Sequence, residues 1–463
     1  MPSPELGREP ILGETYSLKT ESPFCPEKSH VKGMEIGSSL EFKEALETAI
    51  LKEHFVAEGL REALAGITLS FSLEHVPRLV HDQVTIGRDV YSAQSWRYVM
   101  MHLKEKDVSR IHPPEVLRNT EFEKQFLDLA ALSISAYNRM VELNIPKEDA
   151  RYVNLWSFDS NIVVTLQGPK LVDFAIDNLN SPYQVMRSVA GEVIAAFARE
   201  FPLTARNLEN VAMRESISVE DRMRIEEMRN NYLHGHGDEV VIHLLNIDPT
   251  KRAAVAARTC YRELPPSEFI ASFTVDQQER VLKDTISSGH TSVVEHPHLL
   301  IRSAMSEANL QMLRRHRIPV QRAMAMWLAA KEYQVVIPPS IQSNKEALEL
   351  YYKTWQASKT FIAEAIQAGF PAPELDHAVI VGIKVPFFSV TNVTDLLHIS
   401  KRRLCQRAQW ESRDWMYQVA EALIKNWPVL FESLGPNCYQ GKCQEKECCG
   451  HPEIYRDWRK TIA

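Results

Sequence analysis

Two rhythms of apolar positions run along the chain. Segments rich in β-branched and aromatic residues, RYVNLWSFDSNIVVTL from Arg151 and VIVGIKVPFFSV from Val379, read as strands. The second is too short to cross a bilayer and carries Lys384 and Pro386, which fits a buried strand. Each is preceded and followed by stretches whose apolar residues recur at helical spacing. A third run, EVVIHLLNID from Glu239, lies between GHGD and Asp248-Pro249 and reads as a strand between turns. Residues 203–232 are highly charged, with sparse apolar residues three and four apart, and predict a solvated connecting helix. The first 35 residues, rich in Pro, Glu, Gly and Ser, predict a weakly ordered tail.

The pattern repeats. Pro113 and Pro114 recur as Pro338 and Pro339 (338 − 113 = 225), and Pro146 recurs as Pro371 (371 − 146 = 225). The same offset carries Leu171 onto Leu396, Phe174 onto Ile399 and Gln184 onto Gln409. The chain therefore divides into a tail (1–35), a first domain (36–202), a helical linker (203–238) and a second, related domain (239–463).

Composition narrows the function classes. In 463 residues, 53 Lys plus Arg against 60 Asp plus Glu give 53 − 60 = −7, so no global basic field draws the chain to a nucleic acid polymer or a membrane surface. The first twenty residues hold no apolar run behind a basic start, so no secretory leader is expected. The seven cysteines form no disulfide framework, which fits a reducing cytoplasm. Four of them, Cys438, Cys443, Cys448 and Cys449, crowd the last turns of chain beside His451. Their spacing is wider than a CxxC knuckle, which leaves a zinc site and a reduced surface tail both open.

Candidate chemistry starts at LQMLRRHR, where Arg314, Arg315 and Arg317 flank His316 after an apolar approach. Guanidinium forks bind phosphate bidentately, so this cluster suits a phosphate-rich ligand; the bland alternative is a solvated basic face. Upstream stand AARTCY (256–261) and GHTSVVEH (289–296), and downstream VIPPSI and LLHISKRRLCQRAQWESR. In GHTSVVEH the plain reading is a helix start capped by Ser292, with Glu295 three residues on. Arg403 and Arg407 lie four apart in what reads as one helix, with Leu397, Leu404, Ala408, Trp415, Val419 and Leu423 facing the core. Both arginines would then face one cavity, or snorkel from a surface helix.

In that order these motifs resemble the flavin-dependent thymidylate synthases over about residues 239 to 463, including the cysteine-containing tail. The first half resembles the same family more weakly, through VPRLVHDQ, YSAQSWRY, HPPEV and IPKEDARYV, so the chain looks like a fused tandem of two family domains. The resemblance implies an α/β (α+β) fold in which each domain is a β-sheet packed with long helices. It implies FAD as cofactor, NADPH and methylenetetrahydrofolate as co-substrates, and dUMP as the nucleotide converted to dTMP. Family enzymes are homotetramers with sites built between subunits, so a tandem chain would form a homodimer, a pseudo-tetramer.

Carried over position by position, the resemblance divides the site between the halves. Arg315, His316 and Arg317 match the flavin triplet; His290, Ser292, Glu295, Asn392 and His398 match further cofactor positions. Arg403 matches the arginine at the pyrimidine, the candidate catalytic residue, and Gln311 a substrate position. The serine and arginine expected after the triplet are Ala325 and Trp327, whereas the first half keeps Ser95 and Arg97 but has lost the triplet. Arg151 has Asp376 at its offset partner (151 + 225 = 376), and Arg403 has Asn178 (403 − 225 = 178). Each half lacks what the other retains, which predicts one composite site. The relaxed phosphate grip of the second half leaves two alternatives: an enzyme modifying C5 of another pyrimidine nucleotide, and a non-catalytic flavin- or nucleotide-binding protein. For Ser95, Arg97 and Arg151 the bland alternative is that they are relics or packing residues.

Overall fold

The computed structural model describes residues 30–86, 90–95, 110–233, 239–245, 248–261, 263, 265–316, 320–441 and 443–462. Each half builds one four-stranded sheet. In the first, β1 (Val31–Gly37), β2 (Thr68–Pro77), β3 (Val90–Ala93) and β4 (Asp159–Gln167) lie in the order β1-β2-β4-β3; in the second, β5 (Val241–Leu244), β6 (His298–Ser306), β7 (Val320–Ala323) and β8 (Lys384–Asn392) lie in the order β5-β6-β8-β7. All pairs are antiparallel, so the mixed class is α+β. Period-two burial fixes the register: Val385, Phe387, Ser389 and Thr391 of β8 turn inward while the residues between them are half-exposed.

The repeat is structural. β4 maps onto β8 (159 + 225 = 384; 167 + 225 = 392), and the Gly168–Asn178 helix maps onto the Val393–Arg403 helix (168 + 225 = 393; 178 + 225 = 403). Upstream the offset widens: the Arg78–Ile86 helix starts where Glu307–Arg314 does at 229 (78 + 229 = 307), and β3 maps onto β7 at 230 (90 + 230 = 320).

The halves dock about a local two-fold axis. Leu155 pairs with Ile380, its own repeat copy (155 + 225 = 380). Around it the Trp156 N–H donates to Val379 O at 3.1 Å, the Val381 N–H to Asn154 O at 2.9 Å and the Gly382 N–H to Tyr152 O at 2.9 Å. A Cβ on Gly382 would lie 2.9 Å from Tyr152 O, so this close approach requires glycine. Beside the axis the Glu121–Glu142 and Lys345–Gln367 helices pack antiparallel, with Phe126 on Phe361 at 5.8 Å and Arg139 Nε on Glu346 Oε1 at 2.7 Å. One hydrophobic core runs through both halves.

Two expectations are corrected. Residues 31–35, placed in the tail, belong to β1, where Val31 and Met34 are buried. Residues 203–232 form two helices rather than one solvated connector. The first, Pro202–Glu215, buries Ala205, Leu208, Val211 and Ala212 on one face, and its Asn207 amide brackets the Phe55 peptide with two 3.0 Å hydrogen bonds. Its sparse apolar residues share one stripe, and that stripe decides burial more than average polarity does. The second, Val219–Leu233, buries only Leu233 and fits the expectation. Among the described residues no helix is long and apolar enough to cross a membrane.

Candidate active site

Where the Arg78–Ile86 helix meets the Glu307–Arg314 helix, Arg78 is 3% exposed. Its Nε and Nη2 donate to Gln311 Oε1 at 3.2 and 2.7 Å, and Nη1 donates to Gln94 O at 2.9 Å and lies 2.7 Å from His81 Nδ1. Burial pushes the Arg78 guanidinium down to about 9, and the neighbouring charges of Arg151 and Arg315 push the same way. His81, buried beside it, is held well below the usual imidazole range by burial and then by Arg78, so it is neutral.

Arg151 reaches this place from the first half and Arg403 from the second. Arg151, 5% exposed, donates from Nη2 to Ala308 O at 3.3 Å and approaches Met312 Sδ at 3.7 Å. Arg403, the last residue of its helix, donates from Nη2 to Met312 O at 2.8 Å. Both arginines thus sit on one residue. His316 stacks edge-on against His398 with centroids 5.9 Å apart. Its imidazole is pushed down to about 3, by burial first and then by Arg403, His398, Arg402 and Arg315, so at neutral pH the positive charge here resides on arginines. Ser95 is half-buried, next to Gln94, which accepts from Arg78. Arg97 and Arg317 lie outside the described residues. Four buried polar atoms in this neighbourhood, His81 Nε2, Gln94 Oε1, Gln311 Nε2 and His316 Nε2, have no hydrogen-bond partner among the described residues.

The copy of this place on the other side of the axis holds charges of both signs, Arg222, Arg229, Arg314 and Arg322 beside Asp82, Asp177, Glu226 and Glu307. A cavity of about 590 Å³ there is lined by Asn178, Ala325 and Trp327, three of the exchanged positions, together with Glu307 and Arg314. Asp376, the fourth, accepts a 2.7 Å hydrogen bond from Tyr183, which lines the same cavity. Glu307 stands where the repeat puts Arg78 and is pushed up to about 8, by burial and then by Asp376. The division between halves is therefore in part a division between two places: Arg151, Gln311, His316, His398 and Arg403 lie around Arg78 in one, and the exchanged Asn178, Ala325, Trp327 and Asp376 lie in or beside the other.

Several sequence expectations change. Arg314 leaves the RRHR cluster: its side chain is buried between Asp82 and Glu307, 2.5 Å from the latter, while Arg315 is exposed. Consecutive helix residues point about 100° apart, so a run of arginines cannot face one ligand. Arg403 and Arg407 do not share a helix, because the helix ends at Arg403 and the next begins at Trp410 (Trp410–Asn426); Arg407 pairs with Glu447 at the surface. Among the described residues Ser292 makes no capping bond, and His290, Ser292 and Glu295 are exposed around the short Thr291–Glu295 turn. Asn392 caps the Val393–Arg403 helix through a 2.8 Å bond from the Asp395 N–H. Among the described residues no three His, Cys, Asp or Glu side chains are grouped to hold a metal ion, so zinc on Cys438, Cys443, Cys448 and His451 finds no support. Arg78 was missed by sequence reading; its signal, a basic residue opening the helix after β2 where the second copy has Glu307, emerges only at the 229 offset.

A duplicated α+β chain with a buried cationic centre built from both halves is the class that fold and geometry define. The chain belongs to the family described as thymidylate synthase complementing protein (Thy1), whose pattern it matches twice, at residues 26–203 and 242–429. It is 26% identical over 219 residues to the flavin-dependent thymidylate synthase of Geobacter sulfurreducens, covering 46% of this chain and 94% of that one. It is 24% identical over 216 residues to the enzyme of that name from Clostridium tetani, covering 43% and 87%, and 27% identical over 219 residues to that from Saccharolobus solfataricus, covering 46% and 84%. These relatives each align to less than half of the chain, in keeping with a tandem of family domains.

Proposed function

We propose that the chain makes thymidylate, moving a one-carbon unit from methylenetetrahydrofolate to C5 of dUMP at one composite site shared by its two halves. Bound FAD, reduced by NADPH, supplies the hydride. The carrying observation is the convergence of buried Arg78 and Arg151 with half-buried Arg403, from three separate elements, where burial pushes Arg78 down to about 9. Buried like charges are costly without an anion among them, and a nucleotide phosphate is such an anion.

In this reading Ser95, Arg97 and Arg151 hold the phosphate, Gln311 orients the nucleotide, and Arg403 lies against the pyrimidine as the catalytic residue. Arg315, His316, Arg317, Asn392 and His398, with His290, Ser292 and Glu295 at the rim, hold FAD. The unpartnered atoms of Gln94, Gln311, His81 and His316 fit ligands bearing both donors and acceptors. Arg403 would favour electron density moving onto the pyrimidine carbonyls, and Arg78 holds Gln311 in place through its paired bonds.

The test is growth of a thymidine-requiring host carrying the chain. Rescue by the wild type and its loss in Arg151→Ala and Arg403→Ala is the expected result. A yellow protein that gives no rescue would overturn the reading and favour C5 chemistry on another pyrimidine nucleotide or a non-catalytic flavin- or nucleotide-binding protein.

A further inference from the structure

The cavity of about 590 Å³ in the second place has the size of a small-molecule site, and the proposed reaction gives it no role. Most of its charges are already matched. Arg61 donates to Asp173 at 2.9 Å and Lys170 to the same carboxylate at 3.0 Å, while Arg229 pairs with Glu226, and Arg314 with Asp82 and Glu307. A phosphate entering here would meet cations held by carboxylates, with buried Asp376 behind Tyr183, so a dianion is disfavoured.

The walls offer unpaired hydrogen-bonding groups instead. Gln321 of β7 lines the cavity, is only 9% exposed, and neither its amide nitrogen nor its amide oxygen has a partner among the described residues. Ser389, opposite it in the sheet register, is buried, and its hydroxyl is likewise unpartnered among them. Arg222, on the Val219–Leu233 helix, lines the cavity with Nε and Nη2 both unpartnered among the described residues, and these are the two donors of one guanidinium fork. The buried indole of Trp327 adds an aromatic wall, with Lys331 Nζ 5.8 Å from its centroid. The repeat shows that the polar pair is an exchange. Gln321 stands where the first copy has Tyr91 (321 − 230 = 91) and Ser389 where it has Val164 (389 − 225 = 164), and Tyr91 and Val164 are paired in their own sheet as Gln321 and Ser389 are in theirs. An idle site closing on itself would favour apolar side chains here, because an unpaired buried amide is costly.

We propose that this second place binds an uncharged pyrimidine nucleoside. The imide edge of such a base carries an N–H between two carbonyls, and a glutamine amide, with donor and acceptor side by side, meets the N–H and one carbonyl as a pair. The Arg222 fork donates to the other carbonyl, and the ring face lies on the Trp327 indole, with Phe174 and Met326 also lining the cavity. A ligand without phosphate leaves the ion pairs of the wall intact. The site stands independently of the thymidylate reaction, so its absence would leave the growth test unaffected.

Equilibrium dialysis of the flavin-loaded full chain against radiolabelled thymidine tests the site. The expected result is one thymidine per chain, retained in the presence of saturating dUMP and in Arg151→Ala, and weakened about tenfold or more in Gln321→Leu and in Arg222→Gln. Thymidine should also raise the Tm of the wild type and not that of Gln321→Leu. Without nucleoside, Gln321→Leu should melt no lower than the wild type, since leucine removes an unpaired buried amide. Absence of saturable thymidine binding at millimolar concentration, displacement by dUMP, loss of binding in Arg151→Ala or unchanged binding in Gln321→Leu would overturn the site. A Gln321→Leu chain melting well below the wild type would show the amide to be partnered and overturn it as well. Equal affinity for 2′-deoxyadenosine, which has no imide edge, would overturn the pyrimidine assignment.

Discussion

Arginine at position 78 separates the two copies as sharply as Arg151 does, with glutamate at 307 and aspartate at 376 in the second copy. Arg78→Ala should remove one charge-assisted contact worth about 1.5–3 kcal/mol, and so lower dUMP affinity about ten- to a hundredfold, measured by calorimetry on flavin-loaded protein. Unchanged affinity would make Arg78 a packing residue. Histidines set the acid limit. Burial pushes His377 down to about 4 and His316 to about 3, from the ordinary imidazole value of about 6.5. Between these values the unfolded chain binds protons that the folded chain refuses, so stability is fully present above about 6.5 and falls as pH drops towards 4 and 3. Thermal melts should show Tm falling through that window. The decline should be shallower in His377→Asn, and a flat Tm from pH 6.5 to 4 would contradict the buried neutral state.

At the scale of elements, the Glu307–Arg314 helix is the joint on which both places turn: Gln311 and Met312 face one, and Glu307 and Arg314 the other. Arg314→Leu leaves Asp82 and Glu307 buried without their shared cation and should cost about 3–5 kcal/mol by urea melts. Adding Glu307→Gln should recover part of that loss; no loss in the single variant would show the ion triad to be energetically idle. Gly382→Ala should destabilise markedly, because its Cβ meets the Tyr152 carbonyl. The strands β4, β5 and β8 and the repeat were legible in sequence because apolar β-branched runs and, across β4 and β8, an offset of 225 survive side-chain divergence; β1, β2, β3, β6 and β7 were not. Arg151 and Arg403 were legible through the family resemblance, and the 225 offset showed that Asp376 and Asn178 stand at their copies. The side chains of Arg314 and Arg407 were not: a linear run of arginines hides which helix face each occupies, and nothing local in LCQRAQ announces the break after Arg403. The Pro202–Glu215 helix was misjudged because its apolar stripe is narrow and its polar residues many.

Across the whole molecule, the two-fold axis makes the halves mutually dependent. Leu155, Trp156, Val379 and Ile380 are fully buried at the axis and bonded across it, so residues 239–463 expressed alone should expose that seam and fail to give a cooperative melt, while co-expressed halves should recombine. A cooperative, flavin-binding second half on its own would refute that dependence. We further expect the intact chain to dimerise into a pseudo-tetramer with closed symmetry, which light scattering would register as twice the 52.9 kDa chain mass. The central claim is that duplication left two equivalent places, one keeping the nucleotide-binding residues and the other exchanging them for Asn178, Ala325, Trp327 and Asp376. Calorimetric titration of the flavin-loaded chain with dUMP tests this directly. The account predicts one nucleotide bound per chain, abolished or strongly weakened by Arg151→Ala and unaffected by Asp376→Asn; two equivalent nucleotides per chain, or binding that survives Arg151→Ala and is lost in Asp376→Asn, would contradict it.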